Sequence, residues 1–319
     1  MPGSDGWIDV HAHLVPPSFE RAWQAAPPSH RDGMPFLPKW SLPTALAEMD
    51  RMGVAAAAVG IPSPGVGFGD PRGVAGLARR INIESAETVR DSGRRLGLLA
   101  CLPLPDTDAA LAEIEYLGDQ PEVHGFTLFS NYDGRHLGDP LFRPVFAELA
   151  RRRATVLLHP TSPPAVDTHG RGRPGALLEF AFETTRTVVD LVLSGVLADH
   201  PELRVIVPHA GAALGVIADR VDALSAAMVP DAQGVDVLGG LRSLYYDLAG
   251  PVLPRQLAAL LRIADPSRLL YGTDLPFFPR ELVHRWRREL ASTELLDEQQ
   301  REGAAGRTAA LLFPRLAAG

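Results

Sequence analysis

Two histidines one residue apart, His11 and His13, lie in the mostly apolar run 7–14 near the start of the chain. In a β-strand, residues i and i+2 point to the same side. Both imidazoles would therefore leave the same face of one strand, and two nitrogen ligands held on a rigid element are half of a transition-metal site. The pair alone is equally consistent with two ordinary histidines.

Four further polar residues lie at or near the ends of later apolar runs: His159, His209, Asp247 and Asp274. Each could be an ordinary hydrogen-bonded residue at the end of a strand. If the runs are strands of one barrel, all four residues meet the first pair at a single pocket. Three imidazoles and one carboxylate suit a divalent, zinc-like ion with a position left for water or substrate. His209 is then the natural acid/base, since an unperturbed imidazole titrates near neutral pH.

The elements that would position these residues follow one alternating pattern. Short runs rich in Val, Ile and Leu, without polar alternation, are typical of parallel strands that are covered on both faces. Eight such strands are predicted, at 7–14, 55–61, 96–104, 125–130, 155–160, 204–210, 244–250 and 269–274. Helices are predicted between and after them, at 42–52, 72–92, 106–118, 141–152, 176–199, 212–227, 254–264, 280–290 and 298–313. Ser41 is the predicted N-cap of the first helix, and Gly53 follows its end.

Eight strands, each followed by a helix, predict an α/β fold of the (β/α)8 TIM-barrel type that uses residues 1–319 as a single domain. A doubly wound open sheet is the competitor, but no Gly-x-Gly-x-x-Gly motif opens a helix after the first strand. The segments 15–40, 61–71 and 160–175 are predicted to be irregular, and the first is an inserted loop after strand 1. Each follows a strand, so it lies on the face where barrel enzymes hold their active sites.

Composition excludes several classes of function. A formal net charge of −7, without a dense basic tract, argues against a nucleic-acid partner. The single cysteine, Cys101, lies in an apolar run and cannot form an internal disulfide, so we expect it in the core. No signal peptide or apolar stretch of membrane-spanning length is present, which predicts a cytoplasmic protein without a membrane partner.

The remaining histidines fit the predicted pocket less well. We expect structural or solvent-facing roles for His30, His124, His200 and His284. His136 and His169 lie in loops on the predicted active face and are candidates for substrate contact.

Several motifs, taken in order, resemble the amidohydrolase superfamily. They are the His-x-His of the first strand, His159, the His-Ala-Gly that begins at His209, and Gly-Thr-Asp-Leu-Pro-Phe at 272–277. Glu183-Thr184-Thr185 and Tyr246-Asp247 extend the resemblance over nearly the whole chain. More narrowly, the chain resembles the branch of aminocarboxymuconate-semialdehyde decarboxylase, which also contains γ-resorcylate and 6-methylsalicylate decarboxylases. The resemblance implies an amidohydrolase-type barrel and a metal-dependent decarboxylase.

The resemblance also implies roles for individual residues. The ligands of one divalent metal ion, Zn²⁺ with Mn²⁺ as the alternative, would be His11, His13, His159 and Asp274. His209 matches the acid/base, and Phe277 matches an aromatic wall of the pocket. Arg220 matches an arginine that reaches a neighbouring subunit's site and binds the substrate carboxylate, which implies a homodimer or a dimer of dimers. The family's arginine in the inserted loop has two possible counterparts, Arg31 and Lys39.

The fourth predicted strand, 125–130, contains neither lysine nor glutamate. Many amidohydrolases bridge two metals through a lysine there, so its absence predicts one metal and favours the decarboxylase branch without excluding mononuclear hydrolases. The leading prediction is a non-oxidative decarboxylase that releases CO2 from a small aromatic, salicylate-type acid or a dienoic acid, with the proton delivered by Asp274 or His209. The alternatives are a metal-dependent hydrolase of a lactone or amide, and a non-catalytic binding protein that keeps the fold.

Overall fold

Eight parallel strands, joined in chain order, form the centre of the molecule. The structure, a computed structural model, describes residues 6–68, 72–163 and 173–317. The strands are Trp7–His13 (β1), Val54–Gly60 (β2), Leu96–Cys101 (β3), Val123–Phe129 (β4), Thr155–His159 (β5), Arg204–Val207 (β6), Tyr245–Asp247 (β7) and Leu269–Leu270 (β8). The last three are shorter than predicted, because their polar, proline- or glycine-containing ends leave the sheet early.

Hydrogen bonds also join the two edges of this sheet. The amide of Val10 donates to the carbonyl of Tyr271 at 2.9 Å, and the amide of His13 donates to the carbonyl of Leu275 at 2.8 Å. Ala12 forms a parallel bridge with Leu275. The predicted (β/α)8 barrel is therefore confirmed.

Helices cover the outside of the sheet and its end. They are Pro17–Ala25 (α1), Leu42–Met52 (α2), Val74–Asp91 (α3), Thr107–Leu117 (α4), Arg143–Arg151 (α5), Glu179–Leu193 (α6), Val196–Asp199 (α7), Leu214–Met228 (α8), Val237–Ser243 (α9), Arg255–Leu260 (α10), Arg280–Ser292 (α11), Glu298–Glu302 (α12), Thr308–Leu312 (α13) and Pro314–Ala317 (α14). The predicted limits of α2 are confirmed, because the Ser41 hydroxyl accepts from the amide of Thr44 and Gly53 has a φ of 62°.

The core has two parts, one outside and one inside the barrel. The larger cluster packs the outer faces of the strands against the helices. The smaller one takes side chains from six strands, among them Val10, Leu157 and Leu270, and adds Leu312 and Phe313 from the C-terminal segment. The interior of the barrel is filled with apolar side chains. Polar residues that point inward at the carboxyl ends of the strands therefore lie above an apolar layer that excludes water.

A β-bulge in β1 turns both histidines of the first strand toward the interior. Between Asp9 and Ala12, β1 has one residue more than the facing part of β2. Val10 packs inside the barrel, so strict alternation from that residue would point His11 and His13 outward. The extra residue reverses the alternation, and both imidazoles join the interior. The sequence argument predicted their common side correctly, but it missed the bulge.

The inserted loop contains more regular structure than predicted. Helix α1 occupies 17–25, begins with Pro17, and buries Phe19 and Trp23, which lie one turn apart on the same face. The expectation that 15–40 is irregular was therefore wrong for this stretch, and the four-residue spacing of the two aromatic residues was the signal available. The predicted helix 298–313 is interrupted by a π-helical segment at Gly303–Arg307.

Among the residues described, no helix combines the length and apolar character that crossing a bilayer requires. The cytoplasmic location and the single-domain organisation of residues 1–319 stay predictions. His169 and parts of the segments 61–71 and 160–175 lie outside the described residues.

Candidate metal centre

The four predicted ligands meet at the carboxyl end of the barrel. One donor atom from each of His11, His13, His159 and Asp274 lies within 4.8 Å of the others, and all four residues are buried. Nε2 of His13 is 2.9 Å from Oδ1 of Asp274, and Nε2 of His11 is 3.7 Å from the same oxygen. Within the described residues this is the one such cluster, and no lysine lies on β4, so the arrangement has the donors for a single metal ion.

Each imidazole of the cluster is held through its other nitrogen. Nδ1 of His11 lies 2.8 Å from Oδ2 of Asp247, and Nδ1 of His13 lies 3.3 Å from the carbonyl oxygen of Gly60. Nδ1 of His159 lies 2.8 Å from the carbonyl oxygen of its neighbour Pro160. Such acceptors fix the tautomer that carries its proton on Nδ1, which leaves the Nε2 lone pair for a metal.

The electrostatics of the cluster favour a cation. Burial favours the neutral form of Asp274, but hydrogen bonds with His13 and His209 outweigh it and hold the pKa of Asp274 well below its usual range. Burial likewise opposes a charge on His11, but Asp247 raises the pKa of His11 to about 9. Nε2 of His11 is buried and has no hydrogen-bond partner. A divalent ion would satisfy this atom and balance the buried carboxylates, so the residues fit a metal.

His209 lies beside the cluster rather than in it. Its Nε2 is 3.3 Å from Oδ2 of Asp274, the carboxylate oxygen that His13 leaves free, and its ring centroid is 5.1 Å from that of His11. Its side chain is 23% exposed, whereas that of His11 is fully buried. His209 can therefore exchange protons with both Asp274 and a molecule in the pocket.

The backbone around His209 is strained and held from two sides. His209, Ala210, Gly211 and Ala212 all have φ between 51° and 71°, a region that residues with a β-carbon rarely adopt. Nε2 of Gln256 on α10 donates to the carbonyl oxygens of His209 at 2.5 Å and of Ala212 at 3.3 Å. Sequence reasoning missed Gln256, which carries no motif and lies 47 residues away along the chain.

Asp247 connects the two parts of the site. Its Oδ2 is the partner of His11, while its Oδ1 accepts from the amides of His209 at 2.9 Å and Ala249 at 3.0 Å. One fully buried carboxylate therefore orients both a candidate ligand and the backbone of the candidate acid/base. The sequence singled out Asp247 by position but assigned it no role.

Aromatic rings line the cluster. The ring of Phe277 lies 5.3 Å from that of His13, and the ring of Phe129 lies 5.7 Å from that of His159, centroid to centroid. The next residue, Phe278, packs edge-on against Trp286 of α11 at 5.1 Å. Phe277 therefore lies beside the cluster, its role as a pocket wall stays a prediction, and Phe129 is a neighbour that sequence reasoning did not single out.

The two candidate cations of the inserted loop differ in their surroundings. The Arg31 guanidinium donates to the carbonyl oxygens of Ala26 at 2.9 Å and Gln24 at 3.0 Å, so it caps the end of α1. Lys39 is exposed and lines a cavity of about 60 Å³ that lies between α2 and the barrel wall. The Arg31 guanidinium is thus engaged by the end of α1. Of the two side chains, that of Lys39 is the more exposed.

The remaining predicted residues lie away from the cluster. Arg220 is exposed on α8. His284 pairs with Glu48 at 2.5 Å, which supports a structural role, and His136 lies 3.1 Å from the buried Glu183.

The chain belongs to the amidohydrolase family, which it matches over residues 8–315. It is 34% identical to the 6-methylsalicylic acid decarboxylase of Penicillium expansum and 36% identical to that of Aspergillus aculeatus, in both cases over 97% of this chain and 96% of the relative. It shares its fold, at 20% identity and a TM-score of 0.85, with the 5-carboxyvanillate decarboxylase of Novosphingobium aromaticivorans, solved with manganese and 4-hydroxy-3-methoxy-5-nitrobenzoic acid; the match covers 98% of this chain and 96% of the other.

These relatives confirm the resemblance seen in the sequence. The two proteins at 34% and 36% identity are decarboxylases, so the carboxy-lyase prediction is supported and the hydrolase alternative is not. The donor set of this chain supports a divalent metal, without choosing between zinc and manganese.

Proposed function

We propose that this protein catalyses the non-oxidative decarboxylation of a salicylate-type acid, with 6-methylsalicylate as the first substrate to test. The observation that carries the proposal is the buried cluster of three histidines and Asp274 beside His209, in a chain that aligns over 97% of its length with 6-methylsalicylic acid decarboxylases. The reaction converts the carboxylate and one proton into CO2 and the ring C–H.

The proposed metal ligands are His11, His13, His159 and Asp274. A divalent ion held there would supply Lewis-acid charge for binding an anionic substrate. We propose Zn²⁺, because three imidazoles and one carboxylate are a common zinc donor set, and Mn²⁺ is the alternative to test.

The chain's own residues supply the proton and the apolar slot. Decarboxylation requires a proton on the carbon that carries the carboxylate, and loss of CO2 then restores the aromatic ring. His209 Nε2 and Asp274 Oδ2 are 3.3 Å apart, so one proton can be held between them and delivered by either. Phe277 lies against His13 and provides an apolar face for the ring, which limits access of water.

We further propose a homodimer in which Arg220 binds the substrate carboxylate of the neighbouring subunit. Arg220 and Val216 are four residues apart on α8 and share one face, and Val216 is 79% exposed. Nearby α6, which contacts α8, begins beside Leu177 and bears Phe182, both exposed. No described residue pairs with Arg220. An exposed apolar face around an unpaired cation fits a second copy of the chain with its bound anion.

The proposals are tested by following CO2 release and ring opening together. Enzyme reconstituted with zinc or manganese is incubated with 6-methylsalicylate, other salicylates, resorcylates and lactones. We expect CO2 from at least one 2-hydroxybenzoate; lactone opening without CO2 from any acid would refute the decarboxylase assignment. Sedimentation of the enzyme tests the dimer, and a monomer that retains full activity would exclude the cross-subunit role of Arg220.

A further inference from the structure

The inserted loop carries one buried carboxylate, and it belongs to no part of the catalytic site described above. Asp32 is 7% exposed and has no cationic partner within the described residues. Its Oδ2 accepts from the hydroxyl of Thr161 at 2.8 Å and from the hydroxyl of Ser63, and its Oδ1 accepts from the amide of Ser162 at 2.7 Å. Three donors from two other loops therefore converge on one side chain.

The topology shows where this convergence lies. Ser63 follows β2, and Thr161 and Ser162 follow β5. In the barrel order these two strands are separated by β3 and β4, so the loops that leave their carboxyl ends meet at the mouth of the barrel. Asp32 therefore lies at the mouth of the barrel, at the same end as the ligand cluster.

The loops that Asp32 joins begin at residues of the metal centre. Thr161 comes two residues after the candidate ligand His159, and Ser63 comes three residues after Gly60, whose carbonyl oxygen lies against His13. The loop after β2 also lies on the pocket wall, since a β-carbon at Gly65 would be 2.3 Å from the ring of Phe129.

The local backbone supports the same placement. Asp32 has a φ of 56°, which aspartate tolerates better than most residues, and Gly33 follows with a φ of 70°. A β-carbon at Gly33 would lie 3.3 Å from the amide nitrogen of Gly175, at the far end of the β5 loop. The tight turn thus places residues 32 and 33 between the two ends of the β5 loop. Ser130, which directly follows β4, also contacts the β5 loop, because its hydroxyl accepts from the amide of Thr161 at 3.0 Å.

We propose that Asp32 is the positioning residue that holds the inserted loop closed over the metal pocket and so completes the part of the pocket that receives the substrate ring. The identity of the substrate in this inference rests on the proposed function, whereas the position of Asp32 in the structure does not depend on it. Without the carboxylate, three donors lose their common acceptor and the loop samples open conformations. Substrate then binds only to the closed fraction, so its apparent affinity falls by that fraction.

The test compares Asp32→Ala with Asp32→Asn. Asparagine keeps an acceptor for the amide of Ser162, and its NH2 can donate to the hydroxyls of Ser63 and Thr161, which rotate to accept. We expect the alanine variant to raise KM for the active salicylate by about tenfold or more, from the loss of buried hydrogen bonds, while bound metal stays at the wild-type level. The asparagine variant should recover most of that loss, and kcat should change less than KM.

Trypsin provides a second readout that needs no substrate. Lys39 is exposed in the inserted loop, and opening of the loop should speed cleavage after it. Asp133→Ala is the matched control, because Asp133 also has a positive φ in a turn but its carboxylate is exposed; it should leave cleavage and KM unchanged. If the wild-type enzyme decarboxylates no acid, the proposed function fails and the cleavage rates still decide this inference.

Two results would overturn the inference. One is an Asp32→Ala protein that is cleaved after Lys39 no faster than the wild type. The other is loss of bound metal or of cooperative unfolding in both the alanine variant and the milder pair Ser63→Ala and Thr161→Val, since Asp32 would then support the whole barrel rather than the loop.

Discussion

Replacing Asp247 by asparagine should weaken metal binding even though no atom of Asp247 belongs to the ligand cluster. The carboxylate accepts hydrogen bonds on both oxygens, from His11 Nδ1 at 2.8 Å and from the amides of His209 and Ala249. An asparagine has only one acceptor oxygen. If its NH2 faces His11, that imidazole must carry its proton on Nε2, the nitrogen that faces the cluster. If the NH2 faces the two amides, donors oppose donors in a fully buried place.

The size of the effect follows from these two alternatives. Loss of an acceptor behind a ligating histidine typically costs 10- to 100-fold in metal affinity, or about 1.4 to 2.7 kcal/mol. Leaving a buried donor unpaired costs about 1 to 3 kcal/mol of folding stability. The arrangement in which the NH2 faces the two amides is therefore not lower in free energy than the one in which it faces His11. We therefore expect Asp247→Asn to bind zinc or manganese at least about tenfold more weakly and to lose turnover with it.

The assay is competition with a chelator of known affinity, followed by metal analysis of the protein after gel filtration. The matched control is Asp190→Asn, because the Asp190 carboxylate also accepts from a backbone amide, that of Gly138 at 2.7 Å, but lies outside the cluster. An Asp247→Asn protein that binds metal as tightly as the Asp190→Asn protein would refute the account of how His11 is oriented.

Three further predictions concern the acid/base, its support and pH. His209→Ala should keep its metal and lose turnover, whereas His159→Ala should lose both; equal metal loss in the two variants would place His209 among the ligands. Gln256→Met, which keeps the shape without the donors, should lower kcat and shift the pH–rate profile while metal content stays constant; an unchanged profile would separate the His209 loop from catalysis. Glu183 raises the pKa of His136, so the pair stabilises the fold fully below the unfolded pKa of about 6.5, and the gain is lost as pH rises through the folded pKa. In thermal unfolding His136→Gln should therefore be destabilised relative to wild type at pH 6 but not at pH 9, and an equal loss at both pH values would contradict the ion pair.

The ligand cluster was predictable because it depends on strand order more than on detail. His159 and Asp274 end apolar runs, and in a barrel of parallel strands the carboxyl ends converge whatever the exact length of each strand. The prediction survived errors of several residues in the ends of β6, β7 and β8, since a strand that leaves the sheet early still delivers its last residue to the same rim.

The alternation of β1 was harder, because one extra residue changes which side every later side chain occupies. His11 and His13 share a side of the strand whether or not the bulge exists, so their spacing was sufficient to predict that the two imidazoles lie together. Their direction was not: Val10 packs inside the barrel, and only the bulge lets His11 do the same. A pattern of spacing can therefore establish that two ligands act together without establishing where they point.

Two of the residues that sequence reasoning missed, Gln256 and Asp32, have a common property: they act on backbone or on loops from far along the chain. Gln256 bonds to carbonyl oxygens of the His209 loop, and Asp32 gathers donors from residues 63, 161 and 162. A carbonyl or amide is present at almost every position, so the partner of such a residue leaves no mark in the amino-acid sequence. The metal ligands can be recognised from their side-chain types alone. The loops at the mouth of the barrel are held by contacts that only the folded chain defines. For that reason metal-dependent chemistry follows from His11, His13, His159 and Asp274, and the determinants of substrate choice must be sought in loops such as those that Asp32 joins.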